Sequence, residues 1–166
     1  MFRMNDENRR ICKLDPEIPK PKDGDGFTDD LKIPEGLMLA EPEPYDDNAK
    51  KAESSNADFK LFDGSQGGIY KYQATVSIEE DGEVYLRAYE VTKGTRLSPE
   101  RMKQRTLEKV TGKGEHTIGA GKHFTIYEGE WGKYYAARLE IWFVPANGRR
   151  PKKLKEKLFK VQGWMF

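Results

Sequence analysis

The stretch His123–Pro145, HFTIYEGEWGKYYAARLEIWFVP, constrains the fold more than any other part of this 166-residue chain. In its second half Ala137, Leu139, Ile141 and Phe143 fall on one side, with Arg138, Glu140 and Trp142 on the other. A period of two is what a strand with one buried face requires, whereas a helix would scatter the same residues around its axis. The first half alternates too, and Gly129 and Gly132 lie between the halves, so the stretch predicts a hairpin with an aromatic tip.

The rest of the C-terminal hundred residues repeats the pattern. Ile69–Ile78 places Tyr70, Tyr72, Ala74, Val76 and Ile78 on one face and Lys71, Gln73, Thr75 and Ser77 on the other. Asp81-Gly82 follows, a strong hairpin signal because both residues tolerate positive φ, and Glu83–Val91 is the expected return strand. Ser98 as N-cap and Pro99 at the first helical position predict a short helix to about Arg105. Met102 is its one apolar anchor, so a surface connection is expected. Leu107–Val110 reads as a small edge strand, and Thr111–Lys122 as a glycine-rich loop with a short strand near Thr117-Ile118. Asn147-Gly148 turns the chain into a last strand, Leu154–Trp164, with Phe159 and Val161 inward and an aromatic end pinned to the core. Such a series defines an all-β class, an antiparallel β-sandwich or partly open barrel over residues 67–166 with one short connecting helix.

Residues 1–66 differ in kind. Pro16, Pro19, Pro21, Pro34, Pro42 and Pro44 each remove a backbone donor and push the preceding residue away from helix. Apolar area is scarce, so an extended or disordered arm is expected, joined to the domain at Gly64–Gly68. Asp15–Asp47 carries eleven acidic residues against three lysines, whereas Gly67–Phe166 carries 19 basic against 12 acidic. An acidic arm therefore precedes a mildly basic body. Ile33–Ala40 is its one apolar patch and reads either as a clip on the body or as a ripple in a tail. Asn48–Leu61 has room for a turn or two of helix. Cys12 is the single cysteine, which excludes an intramolecular disulfide. The basic N-terminus lacks a following apolar run, and no stretch approaches the roughly 20 apolar residues of a membrane helix. The expectation is a soluble chain, cytoplasmic by default, with secretion through a missing leader left open.

The motifs that invite a chemical reading mostly fail on spacing. Gly-Ala-Gly-Lys at 119–122 lacks both the earlier glycine, where His116 stands, and the following Ser or Thr, where His123 stands. Asp23–Asp30 resembles a calcium loop but has Phe27 and Thr28 where an oxygen ligand and a glycine belong. His116 and His123 could meet across the glycine loop, but nothing in their spacing demands a metal, and neither metal nor cofactor is expected. Glu128 and Glu130 are the carboxylates a hydrolase would use. Arg149, Arg150, Lys152 and Lys153 open a basic run that nucleic acid could attract, although lysines on an edge strand also keep strands from pairing, and no nucleic-acid partner is expected. Trp142, with Tyr85 and Tyr89, is expected to be covered by a second sheet or by the arm.

Tyr127, Trp131, Tyr134 and Tyr135 crowd the tip of the central hairpin. Aromatic side chains on a rigid support give large contact area at small entropic cost. The reading is a non-catalytic module that recognises a protein partner through these four residues. A carbohydrate-binding module is the alternative, and a hydrolase the third.

Overall fold

The computed structural model describes residues 33–44, 59–120 and 122–164. Cys12, the calcium-like stretch Asp23–Asp30, and residues 48–58 of the expected helical turn lie outside the described residues.

Among the described residues, nine strands and one helix follow in the order β1 (Glu43–Pro44), β2 (Phe59–Asp63), β3 (Ile69–Ile78), β4 (Gly82–Glu90), α1 (Pro99–Thr106), β5 (Glu108–Val110), β6 (Gly114–Ile118), β7 (His123–Thr125), β8 (Tyr135–Pro145) and β9 (Lys152–Val161). They form two sheets not closed into a barrel. Sheet I has the order β1-β2-β3-β6, with β7 also on β3, and sheet II the order β5-β4-β8-β9. All neighbours are antiparallel except β1 and β2. The alternation read from sequence sets the core. Tyr70, Tyr72, Ala74, Val76 and Ile78 from β3 meet Leu139, Ile141 and Phe143 from β8 and Phe159 and Val161 from β9. Phe59 and Phe159 bridge the sheets edge-to-face at 5.3 Å.

Both expected central hairpins are instead arches. β3 belongs to sheet I and β4 to sheet II, so Asp81-Gly82 carries the chain across the sandwich. Period two says which face a strand buries but not which strand lies beside it, so it cannot separate a hairpin from an arch. Gly82 is needed here for space rather than for positive φ, since a Cβ would overlap the Val144 carbonyl and the Phe143 ring. β7 and β8 are likewise in different sheets, and the segment between them spans one end of the sandwich. The hairpins that do form are β8–β9 around Asn147-Gly148, as expected, and β2–β3. The ladder on β3 passes from β6, where Ile118 faces Ala74, to β7, where His123 faces Lys71, and is interrupted at Tyr72 and Gln73.

The open sides of the sandwich are closed by the two segments expected to be peripheral. Met102 and Leu97 are fully buried, and Thr106 Oγ1 accepts the Leu86 N–H at 2.9 Å, so α1 closes the edge of β4 beyond its short pairing with β5. On the other side Ala40 takes one backbone hydrogen bond from Lys160 and gives one to Leu158, both 2.9 Å, and β1 then joins β2. The Ile33–Ala40 patch thus clips onto the β9 edge through Ala40, while Met38 points out at 91 % exposure. The boundary expected at Gly67 falls inside sheet I, because β2 supplies the core residues Phe59 and Leu61. Lys155 and Lys157 face inward from edge strand β9 and donate to the Thr75 and Phe59 carbonyls of sheet I. Inward lysines of this kind blunt a sheet edge against pairing with other chains. No helix among the described residues is long and apolar enough to cross a membrane.

Candidate functional site

One end of the sandwich is built where three segments cross. Ile126 N–H donates to the Gly68 carbonyl at 2.8 Å, and Trp164 N–H to the Ile126 carbonyl at 2.7 Å. The crossing is tight enough to require glycine twice. At Gly68, with φ of +89°, a Cβ would strike the Trp164 backbone, and at Gly163 it would strike the Glu128 and Gly129 backbone. Tyr70 fixes the same strand end by accepting the Gln162 N–H at 2.9 Å, and burial holds its hydroxyl well above the ordinary tyrosine pKa.

Three rings project from this clamp, Tyr127 at 39 %, Trp131 at 48 % and Tyr134 at 45 % exposure. Trp164 lies edge-on to Tyr127 at 5.9 Å and donates from its indole to Gln66 at 2.8 Å. Arg101 of α1 lies 5.2 Å over the Tyr127 ring and donates to its hydroxyl at 3.1 Å, while Lys160 lies 5.0 Å over Tyr134. Gln162 ties the tip by accepting the Gly132 N–H at 2.6 Å and donating to Tyr134 at 3.3 Å.

Tyr135 does not join them. It is fully buried and donates its hydroxyl to the Glu128 carbonyl at 2.6 Å, because it begins β8 on the inward-facing parity of Ala137 and Leu139. Residues from 131 to 134 precede the strand and escape that parity. Period two carried back one step, two residues from Ala137, would have assigned Tyr135 to the core. Trp164, Arg101, Gln66 and Gln162 had no such signal, since each reaches the site through a long-range crossing.

Glu128 sits behind the rings as a pin. Ser98 donates to it from its backbone N–H and its hydroxyl, both at 2.8 Å, and the same hydroxyl accepts the Tyr127 N–H at 3.0 Å. Ser98 is held at φ 42°, ψ 54°, a left-handed conformation worth roughly 1–3 kcal/mol of strain, and it makes no side-chain cap to its own helix. Burial raises the Glu128 pKa, with the Ser98 hydrogen bonds offsetting part of the rise. Glu130 pairs with Lys133 at 3.0 Å. The carboxylates of the hydrolase reading are thus both engaged in positioning the tip.

The other expected groups disperse. His116 stands opposite Val76 and His123 opposite Lys71, five residues along β3 and so roughly 16 Å apart. Among the described residues no group of three or more His, Cys, Asp or Glu side chains is placed to hold a metal ion. Of the basic run, Arg149 pairs with Glu80, and Lys153 with Glu156 at 2.6 Å and Glu140 at 3.5 Å. Arg150 and Lys152 are exposed beside them.

A second aromatic and cationic surface covers the outer face of sheet II. Its rows run across β4, β8 and β9 as Tyr85, Trp142, Lys153, then Arg87, Glu140, Glu156, then Tyr89, Arg138, Leu158. The Arg87 guanidinium lies 3.8 Å from the Trp142 ring centre and 5.4 Å from that of Tyr85, and donates to the Tyr85 hydroxyl at 2.9 and 2.6 Å. It is only 4 % exposed, although no second sheet lies over this face among the described residues. Burial and the nearby Arg96 lower the Arg87 pKa to about 10, and burial pushes Tyr85 up to about 12. Burial would also raise Glu140, but hydrogen bonds from Arg138 at 2.7 Å and Trp142 at 2.8 Å, together with the Lys153 charge, hold it below the ordinary value.

No protein-family model matches this chain, and no match was found among curated proteins or solved structures.

Proposed function

We propose that the chain is a recognition module that binds a segment of a protein partner across Tyr127, Trp131 and Tyr134. The observation that carries this reading is the combination of three exposed rings with a backbone clamped through Gly68, Gly163 and the Ser98–Glu128 pin. Rings presented on a fixed support lose little entropy when a partner covers them. Arg101 and Lys160, lying over two of the rings, favour a partner segment that sets a carboxylate beside an apolar anchor. A sugar would need a ring face to stack on, and those cations already cover one face of Tyr127 and of Tyr134, so the carbohydrate alternative rests mainly on Trp131.

The test is capture of a partner by the immobilised full chain and by Trp131→Ala, with melting temperatures recorded for both. A protein held by the wild type and lost from the variant at unchanged melting temperature supports the reading. A protein held equally by both places recognition elsewhere and overturns it. A glycan array on the same two proteins decides the alternative. Truncation at Gly67 is unsuitable because it removes β2 from sheet I.

A further inference from the structure

The outer face of sheet II carries more positive charge than its own carboxylates balance. Arg87, Arg96, Arg138, Lys103 and Lys153 lie on or over it, against Glu140 and Glu156. Glu83 and Lys109 stand opposite each other in register at its far end. Glu140 is already engaged by Arg138, Trp142 and Lys153, and Arg96 acts on Arg87 as a like charge. Arg96 also keeps its Nε buried with no hydrogen-bond acceptor among the described residues.

We propose that this face is the docking surface for the chain's own acidic segment Asp15–Asp30, whose carboxylates meet Arg96 and Arg138 over a floor of Tyr89 and Trp142. The segment holds six acidic residues against Lys20 and Lys22, opposite in sign to the face. It also starts from the right place. The described chain pairs at Ala40 with β9, the edge strand of this same sheet. The chain before Ala40 turns at Pro34–Leu37, and the three residues from Ile33 to Asp30 reach up to about 10 Å, the same as the two strand spacings from β9 to β4, roughly 10 Å. Attraction between exposed charges is screened beyond about 8 Å at physiological salt and about 3 Å at 1 M, so the contact is reversible and salt-sensitive.

The single cysteine and the three tryptophans provide the test in the intact chain. A nitroxide is attached to Cys12, and the indole N–H signals are compared with the label oxidised and reduced. Trp142 lies on the proposed face, whereas Trp131 and Trp164 lie at the aromatic end, beyond the seven-residue stretch of β8 that separates Trp142 from Tyr135, roughly 23 Å. The expected result is loss of the Trp142 signal at low salt, and its return both at 1 M salt and in Arg96→Glu/Arg138→Glu. Retention of Trp142 at low salt overturns the proposal. A Trp142 loss that persists at high salt does so as well, because the contact would then not depend on charge. The salt titration uses wild-type protein and decides the question even where the double variant fails to fold.

Discussion

The aromatic end and the outer face of sheet II use the same side chains, tyrosine and tryptophan rings with arginine or lysine laid over them, yet they are assembled differently. The face takes most of its residues from neighbouring strands, in rows fixed by the ladder, and its rings are largely covered by its own cations. The end draws on Gln66, Arg101, the 127–134 segment and Lys160–Trp164, which meet only because the chain crosses itself, and its rings stay exposed. A ladder supplies each residue with neighbours automatically and tends to zip its polar groups together. A crossing fixes backbone in tight contact and leaves side chains free to project. Exposed rings on a fixed backbone therefore belong to the second arrangement.

The strongest way to break this contrast is to destroy the crossing while sparing the ladder. Gly163→Val sets a branched side chain against the Glu128 and Gly129 backbone, which has no flexible end that can move aside. The expected cost is about 3 kcal/mol, at the upper end for overpacking. Thermal unfolding should show a drop of roughly 10 °C for a domain of this size. A melting temperature within a degree of wild type would mean the crossing is looser than its geometry implies.

The ladder is tested by Arg87→Ala, which removes the cation between Tyr85 and Trp142 together with its two hydrogen bonds to the Tyr85 hydroxyl. Lost packing and lost charge-assisted hydrogen bonds should cost about 2 kcal/mol. Chemical denaturation checks this, and a change near zero would show that the rows hold without their central cation.

Acidity separates the two regions by sign. Glu128 at the end has a raised pKa, so its ionised form opposes folding. As pH falls from neutral toward the unfolded value of about 4.3, this group makes the fold more stable. Glu140 on the face has a lowered pKa, so the stability it contributes is complete above about 4.3 and is lost as pH falls through its folded value. Melting curves across pH should therefore lose their mildly acidic gain in Glu128→Gln and their strongly acidic loss in Glu140→Gln. The same slope in both variants would remove the assignment.

How far each region is legible in the sequence follows from its construction. Leu139, Ile141 and Phe143, and the Tyr70–Ile78 row, are inward as their spacing of two requires, because parity is a local property. The same parity puts Trp142 and Glu140 on the other face and would have withdrawn Tyr135 from the surface. Pairing is not local. Asp81-Gly82 carries a hairpin signal and makes an arch, since a turn's composition says little about which strand fills the neighbouring position. The helix illustrates a second gap, in that Met102 is buried and Thr106, a polar residue, closes the β4 edge through its hydroxyl. Ser98 is a third, a residue suited to capping its own helix that instead binds Glu128 thirty positions away.

The smallest expected effect on stability is the most informative about the end. Trp131 projects from the tip and, among the described residues, makes no hydrogen bond or ring contact in the manner of Tyr127 or Tyr134, so Trp131→Ala should change stability by less than about 0.5 kcal/mol. Tyr134→Ala should cost more, because it also frees Gln162 and Lys160. Paired unfolding curves check both. If Trp131→Ala proves the more destabilising of the two, the exposed ring is holding the tip together rather than waiting for a partner, and the distinction between a closed ladder and an open end fails at the residue on which it most depends.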